Sequence, residues 1–400
     1  MVSIYEQLGV RTIINARGTA TRLSGGIMPE VAARAMLEAT RHCVDMVELQ
    51  NRASEIIAEI TGAQAGLVTG GAAAGLLLGT AACITGLDPA KMDRLPDTRG
   101  MRRKVVMIRA QRNSYDHAVR ASGAIIHEVG LPDRLTGAGV RDAEPWEIAD
   151  AIDEDTACVF YVAHPGASPP LREVLAVAHD AGVPVLVDAA ARLPPVDNLQ
   201  NFVEEGADLV VFSGGKAILG PQASGILCGR RDLVAAAALQ MLDLDLHPQQ
   251  WQPPALFDGL HLPGLPHHGI GRSAKVGKEQ IVGLLVALRH FVAEDIQERH
   301  ARWRYLVDHL AALLGRLPGL EVTVQDPGTS GTPCLRVLVA PEVAGMSALE
   351  LALRLQNGRP GIHVDLGRVD DSLLIFNPTC LQEGEPAVIG QRMAELVSHG

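Results

Sequence analysis

The sequence predicts an α/β fold: a mostly parallel seven-stranded sheet with helices on both faces in a large domain, followed by a smaller C-terminal α+β domain. Three observations carry this. Apolar runs of strand length alternate with longer amphipathic stretches from about residue 45 to residue 240. Four hundred residues exceed the usual size of one compact domain, and 47% of them are hydrophobic. Aromatics are only 3%, so the core is built from Ala, Val, Leu and Ile.

Along the chain, an arm (residues 1–28) leads into a helix from Pro29 and a second from about Asp45 to Ile60. The predicted strands are Ala65–Thr69, Lys104–Ala110, Ala124–Val129, Ala157–Ala163, Val183–Asp188, Asp208–Ser213 and Gly225–Cys228. Between them Leu171, Val174, Leu175 and Ala178 recur at helical spacing, and Gly182 supplies a stop. Residues 242–271 are rich in Pro, Gly and His without periodicity, a loop long enough to be functional. A helix over Lys278–Arg289 then leads to strands at Leu335–Val339 and Ser372–Phe376 and a helix at Leu349–Leu355. The expected division is residues 1–44 as arm and helix, 45–270 as the large domain, and 271–400 as linking helix and small domain.

One predicted strand ends on Asp188, and the next runs into Lys216 inside Ser213-Gly-Gly-Lys216-Ala-Ile-Leu-Gly, 216 − 188 = 28 residues later. That spacing holds one helix and one return strand. In such sheets ligands sit beyond the carboxyl ends of the strands. A strand-end aspartate beside a strand-end lysine is the pair needed to hold pyridoxal 5′-phosphate (PLP), the amine binding the aldehyde and the carboxylate keeping the ring nitrogen protonated. A helix-capping Asp188 and a solvated Lys216 are the plain alternative, which the glycines around the lysine disfavour. Thr69-Gly70-Gly71 joins a strand to a helix and offers backbone N–H groups to a phosphate, with Ser213 as a second ligand. Ala190 is small enough for a ring to lie against the strand end, and the cover of its other face is sought within Gln111–His117. Arg272 and Lys275 enter a helix N-terminus, where cations are unfavourable, which points to an anionic partner, cofactor phosphate or substrate carboxylate. Arg17 and Arg22 in the arm are further carboxylate binders. His247, His261, His267 and His268 lack helical spacing and nearby cysteines, so no metal is expected.

The balance of 35 basic against 46 acidic residues, −11 overall, argues against a nucleic-acid or anionic-membrane partner. Six cysteines are scattered without C-x-x-C spacing, as in a reducing cytoplasm. The N-terminus carries no basic region followed by an apolar one, so no signal peptide is expected. The apolar stretch Gly66–Gly86 suits a closely packed internal helix better than a membrane span.

Several stretches resemble a known family: Tyr5-Glu-Gln-Leu-Gly-Val-Arg-Thr-Ile-Ile-Asn15-Ala-Arg-Gly18-Thr19, Val68-Thr-Gly-Gly-Ala-Ala-Ala-Gly75, Val187-Asp188-Ala-Ala-Ala-Arg-Leu-Pro-Pro195, the Lys216 segment, and Arg272-Ser-Ala-Lys275-Val-Gly-Lys278. The chain is similar to fold-type I PLP-dependent enzymes of the L-seryl-tRNA(Sec) selenium transferase-like family, most closely the D-glucosaminate-6-phosphate ammonia-lyase-like branch. The resemblance spans nearly the whole chain. It implies a homodimer or ring of dimers with active sites built from two subunits. The implied substrate is a small-molecule amino acid, hydroxylated or sugar-derived, and the implied reaction an α,β-elimination giving a 2-keto acid and ammonia. Racemisation, transamination and retro-aldol cleavage begin the same way and stay open. Arg192 departs from the family pattern, which has a glutamine there. A nucleotide-binding dehydrogenase would suit the α/β alternation, but no G-x-G-x-x-G is present.

Overall fold

The computed structural model describes residues 3–131 and 142–397. The chain forms two compact units, residues 28–291 and residues 1–27 together with 292–400. The strands of the described residues are β1 (Ile13–Ala16), β2 (Ala65–Thr69), β3 (Lys104–Ile108), β4 (Ile125–Val129), β5 (Thr156–Val162), β6 (Val185–Asp188), β7 (Leu209–Ser213), β8 (Gly225–Gly229), β9 (Leu320–Gln325), β10 (Cys334–Val339), β11 (Gly361–Val364) and β12 (Leu373–Phe376).

In the 28–291 unit, seven strands form one sheet in the order β2-β8-β7-β6-β5-β3-β4. The pairs among β7, β6, β5, β3 and β4 are parallel, whereas β8 runs antiparallel to both β2 and β7. Each strand matches an expected apolar run to within two residues at either end. Helix Met46–Thr61 starts on Asp45, whose carboxylate accepts from the N–H groups of Val47 and Glu48, and stops on left-handed Gly62. The apolar helix Ala72–Thr85 lies on the sheet: a Cβ added at Gly79 would come 3.1 Å from Leu186. At fourteen residues it is about 21 Å long, short of a bilayer core. No helix of the described residues is long and apolar enough to cross a membrane.

The edge of the sheet away from the strand ends that matter for binding is tied by Asp208. Its carboxylate accepts from the backbone N–H of Val185 at 2.8 Å, meets His179 Nε2 at 2.8 Å and pairs with Arg230 Nη1 at 3.1 Å. These contacts join the starts of β6 and β7 to the end of β8.

The division of the chain differs from the one the sequence predicts. Helix Lys278–Ala293 starts beyond residue 270, yet it buries Ile281, Leu284, Leu288 and Phe291 in the core of the 28–291 unit. The arm is likewise divided. Its helix Glu30–Ala39 buries Ala32 in that same core, while β1 pairs in parallel with β11 of the other unit. In that second unit β12, β10 and β9 form an antiparallel sheet backed by Val307, Leu310 and Leu314 of helix Ile296–Leu314.

Candidate active site

Asp188 closes β6 and lies in register with Val211 of the neighbouring strand, two residues before Ser213. Lys216 follows three residues after that. The turn holding it is closed by Gly214 N–H on Ser224 O, Leu219 N–H on Lys216 O and Gly220 N–H on Gly214 O, at 2.8–2.9 Å. Its glycines are required by close approach, since a Cβ on Gly215 would fall 2.8 Å from the Gln222 Cα. Sequence thus fixes the lysine at a strand end through backbone that no side chain could replace.

Asp188 is 9% exposed, and burial raises its pKa above the ordinary carboxylate value. A hydrogen bond from Ala190 N–H to Oδ1 at 3.0 Å and the charge of Lys216 oppose that rise. Burial likewise lowers the Lys216 pKa, against the pull of Asp188. Desolvation is the largest cause of both shifts, and each shift runs toward the neutral form. Oδ2 of Asp188 has no hydrogen-bonding partner among the described residues, so the carboxylate is buried with one oxygen free for a protonated ring nitrogen. That is the fit a PLP ring requires.

Thr69 and Ser213 both stand opposite Gly225 of β8, in one row across three strands. The row spans roughly 10 Å. Thr69 is fully buried and its Oγ1 donates to Gly71 O at 2.8 Å, shaping the turn. Gly71 starts helix Ala72–Thr85 at φ 121° with no side chain capping it, so the first-turn N–H groups are free for an anion. Gly70 approaches the backbone of Ala274 and Lys275, where its Cβ would come 2.9 Å from Ala274 O. The structure therefore brings the Thr69–Gly71 turn against the Arg272–Lys275 segment. Arg272 is already engaged, with Nη1 donating to Met241 O at 3.0 Å and Nη2 paired with Asp243 at 2.6 Å. Asp243 is the solvated partner of the two, at 56% side-chain exposure.

Among Gln111–His117, one residue is fixed against these strand ends. Gln111 Oε1 accepts from Val162 N–H at 2.8 Å, and Val162 is the register partner of Asp188. Arg112 pairs with Asp116 and Glu128, and Tyr115 and His117 are exposed. Arg192 is half-buried in the turn after β6, its N–H on Ala189 O at 3.0 Å. Arg17 and Arg22 belong to the other unit, beside His363 of β11, a residue that sequence reasoning missed. A lone histidine in a short apolar strand carries no pattern.

An open, mostly parallel sheet with a buried Asp188, a half-buried Lys216 and a glycine-lined anion turn at one edge defines a PLP-dependent enzyme of fold type I. The aminotransferase class-V family model matches residues 108–368, and the chain belongs to that family. It is 34% identical to a 5′-C-glycyluridine monooxygenase-decarboxylase of Streptomyces sp, over 99% of this chain and 92% of that protein. It is 30% identical to D-glucosaminate-6-phosphate ammonia lyase of Salmonella typhimurium (strain 14028s / SGSC 2262), over 99% and 98%. A solved structure of D-glucosaminate-6-phosphate ammonia-lyase superposes with a TM-score of 0.82 at 28% identity, covering 100% of this chain and 99% of that one. The resemblance to the ammonia-lyase branch holds, and the cofactor is PLP. The likeness to a monooxygenase-decarboxylase is new information that the motifs did not give.

Proposed function

We propose that the protein is a PLP-dependent ammonia lyase acting on a β-hydroxylated or sugar-derived amino acid. The observation that carries this is the Asp188–Lys216 pair on adjacent strand ends, supported by likeness to an ammonia lyase along 99% of the chain. When bound, the cofactor supplies an electron sink for the charge left at Cα after proton removal. Lys216, its pKa pressed down by burial, takes the Cα proton and returns a proton to the departing β-oxygen, which leaves as water. Asp188 holds the proton on the ring nitrogen. The Thr69-Gly70-Gly71 turn and Ser213 hold the phosphate, with Arg272 beside them, and Ala190 leaves room for the ring. Lys275 serves an anionic group of the substrate, and Arg17 and Arg22 of the arm are further candidates for binding carboxylate. The Cα–H and Cβ–O bonds break, and water then displaces ammonia, giving a 2-keto acid and ammonium without an external oxidant. The same reading includes a cytoplasmic homodimer or larger assembly, supported by the exposed Val31, Leu37 and Val44 and by six cysteines all left free.

The similarity to a monooxygenase-decarboxylase favours one second reading, an oxygen-dependent decarboxylation at the same site. A screen of D- and L-amino acids and phosphorylated sugar amino acids in deuterated water, with and without oxygen, separates the two. Keto acid and ammonium in equal amounts under anaerobic conditions, with deuterium at the former β-carbon, is the expected result. Carbon dioxide release that requires oxygen would replace it with the second reading. Return of α-deuterated amino acid without keto acid would identify a racemase.

A further inference from the structure

The three-stranded sheet β12-β10-β9 has one face in the core of its unit and one outside it. Leu335, Val337 and Val339 of β10 are buried, and strand alternation turns Arg336 and Leu338 to the opposite face. Register places Arg336 between Thr323 of β9 and Ile375 of β12, and Leu338 between Glu321 and Leu373. At the Leu338 end the chain turns into β12. There Ser372 N–H donates to Val369 O at 2.9 Å, Leu373 N–H donates to Arg368 O at 3.2 Å, and Arg368 pairs with Asp371 across the turn. Sheet face and turn together line a cavity of about 290 Å³, every residue of which belongs to this one unit.

The charges in this cavity are not balanced by the protein. Arg368 and Asp371 neutralise each other at the rim. Arg336 is half-buried and makes no hydrogen bond or ion pair with a described residue, and neither does Glu321. Glu321 is the diagonal neighbour of Arg336 on β9, roughly 7–8 Å away. A half-buried guanidinium has given up water on the sheet side without gaining an acceptor. That combination selects a ligand. A simple anion on Arg336 would face the carboxylates of Glu321 and Asp371, and a simple cation on Glu321 would face two guanidinium groups. A molecule carrying both charges meets a complementary partner at each end. Thr323, beside Arg336, adds a hydroxyl donor for its carboxylate. Leu373 is buried and Leu338 is 41% exposed, an apolar strip suited to an aliphatic group, and the volume holds one small molecule.

We propose that this cavity binds a small aliphatic α-amino acid as a zwitterion, its carboxylate on Arg336 and Thr323 and its ammonium on Glu321. It is a second amino-acid site, in the unit that holds neither Asp188 nor Lys216, and binding there involves no reaction. The inference goes beyond the lyase reading and does not depend on it.

The test is calorimetric titration of the PLP-loaded full-length protein with N,N-dimethyl-L-leucine, a zwitterion whose tertiary amine cannot form an imine with PLP. Isocaproate carries the same chain with the carboxylate alone, and N,N-dimethylisoamylamine carries it with the ammonium alone. The zwitterion is expected to bind about tenfold or more tighter than either. Arg336→Gln and Glu321→Gln should each remove about that much, and Arg336→Lys should lose less. Arg316→Gln, at an exposed position of the same unit, should change nothing. Hydrogen exchange of the unsubstituted protein should slow on ligand binding within residues 320–339 and 368–376, a readout that needs no variant to fold. Equal affinity for isocaproate or for the amine overturns the zwitterion class. Absence of binding, binding that neither variant weakens, or slowing confined to residues 188–225 overturns the site. None of these outcomes bears on the lyase reading, whose own screen reads keto acid and ammonium.

Discussion

Lys216 and Asp188 stand at or just after the ends of adjacent strands, and the same burial shifts their pKa values in opposite directions. Because desolvation lowers the Lys216 pKa, capture of PLP by apoprotein, which needs the neutral amine, should reach half its maximal rate below the ordinary lysine value of about 10.4. Asp188 pulls that pKa upward, so Asp188→Asn should move the midpoint lower still. The pH dependence of the appearance of the visible cofactor band measures both, and an upward move would contradict the charge coupling. Asp188→Asn should also cut turnover by roughly 10- to 150-fold, the loss of a charge-assisted hydrogen bond worth about 1.5–3 kcal/mol. Near-normal kcat would remove Asp188 from its role. After borohydride reduction, peptide mapping should place the cofactor on Lys216, and a label on Lys275 or Lys278 would reassign it. The placement of Asp188 and Lys216 at or just after the ends of adjacent strands was legible because strand-end position and residue type can be read together. Gln111 was legible only as one of seven candidates, since its hydrogen bond to Val162 depends on β3 and β5 being neighbours.

The strand ends hold the site through backbone proximity, so small residues between them matter as much as polar ones. Gly225 of β8 separates Thr69 from Ser213, and a Cβ there would lie 2.5 Å from Gly71 C and 2.7 Å from Ala72 N. Gly225→Ala should therefore push the phosphate turn off its strand, costing about 1–3 kcal/mol. The expected signature is faster PLP loss on dialysis with retained far-UV circular dichroism; unchanged retention would show that the turn yields freely. The seven strands of this sheet were readable from short apolar runs, six of them buried along most of their length and only the edge strand β4 partly exposed. Their pairing was not, and the antiparallel course of β8 arises from a connection of only eleven residues after β7. In the other unit β9 alternates half-buried and exposed residues, and β1 and β11 are four residues each, below the length at which period separates strand from loop.

The whole chain is two units, and only one of them contains Asp188, Lys216 and the phosphate turn. PLP at a hundred times its Kd should stabilise by about 2.7 kcal/mol, raising the Tm, and Lys216→Ala should reduce that rise. Hydrogen exchange should slow on PLP binding at residues 69–75, 188–190 and 213–225. Equal slowing confined to residues 320–376 would place the cofactor elsewhere. Length and composition announced two domains, but the boundary was not legible because helix Lys278–Ala293 is amphipathic toward the core it closes, whatever follows it. The pairing of β1 with β11 also bears on how the protein is made. Ala16 leaves the ribosome long before Gly361, the first residue of the strand it must lie beside. At typical elongation speeds that wait is roughly 20–70 s. During it the 28–291 unit can assemble, while β1 presents an unpaired edge to other nascent chains. Premature termination anywhere before residue 361 would leave that edge uncovered for good, so truncated products of this gene should be the ones that aggregate and burden quality control.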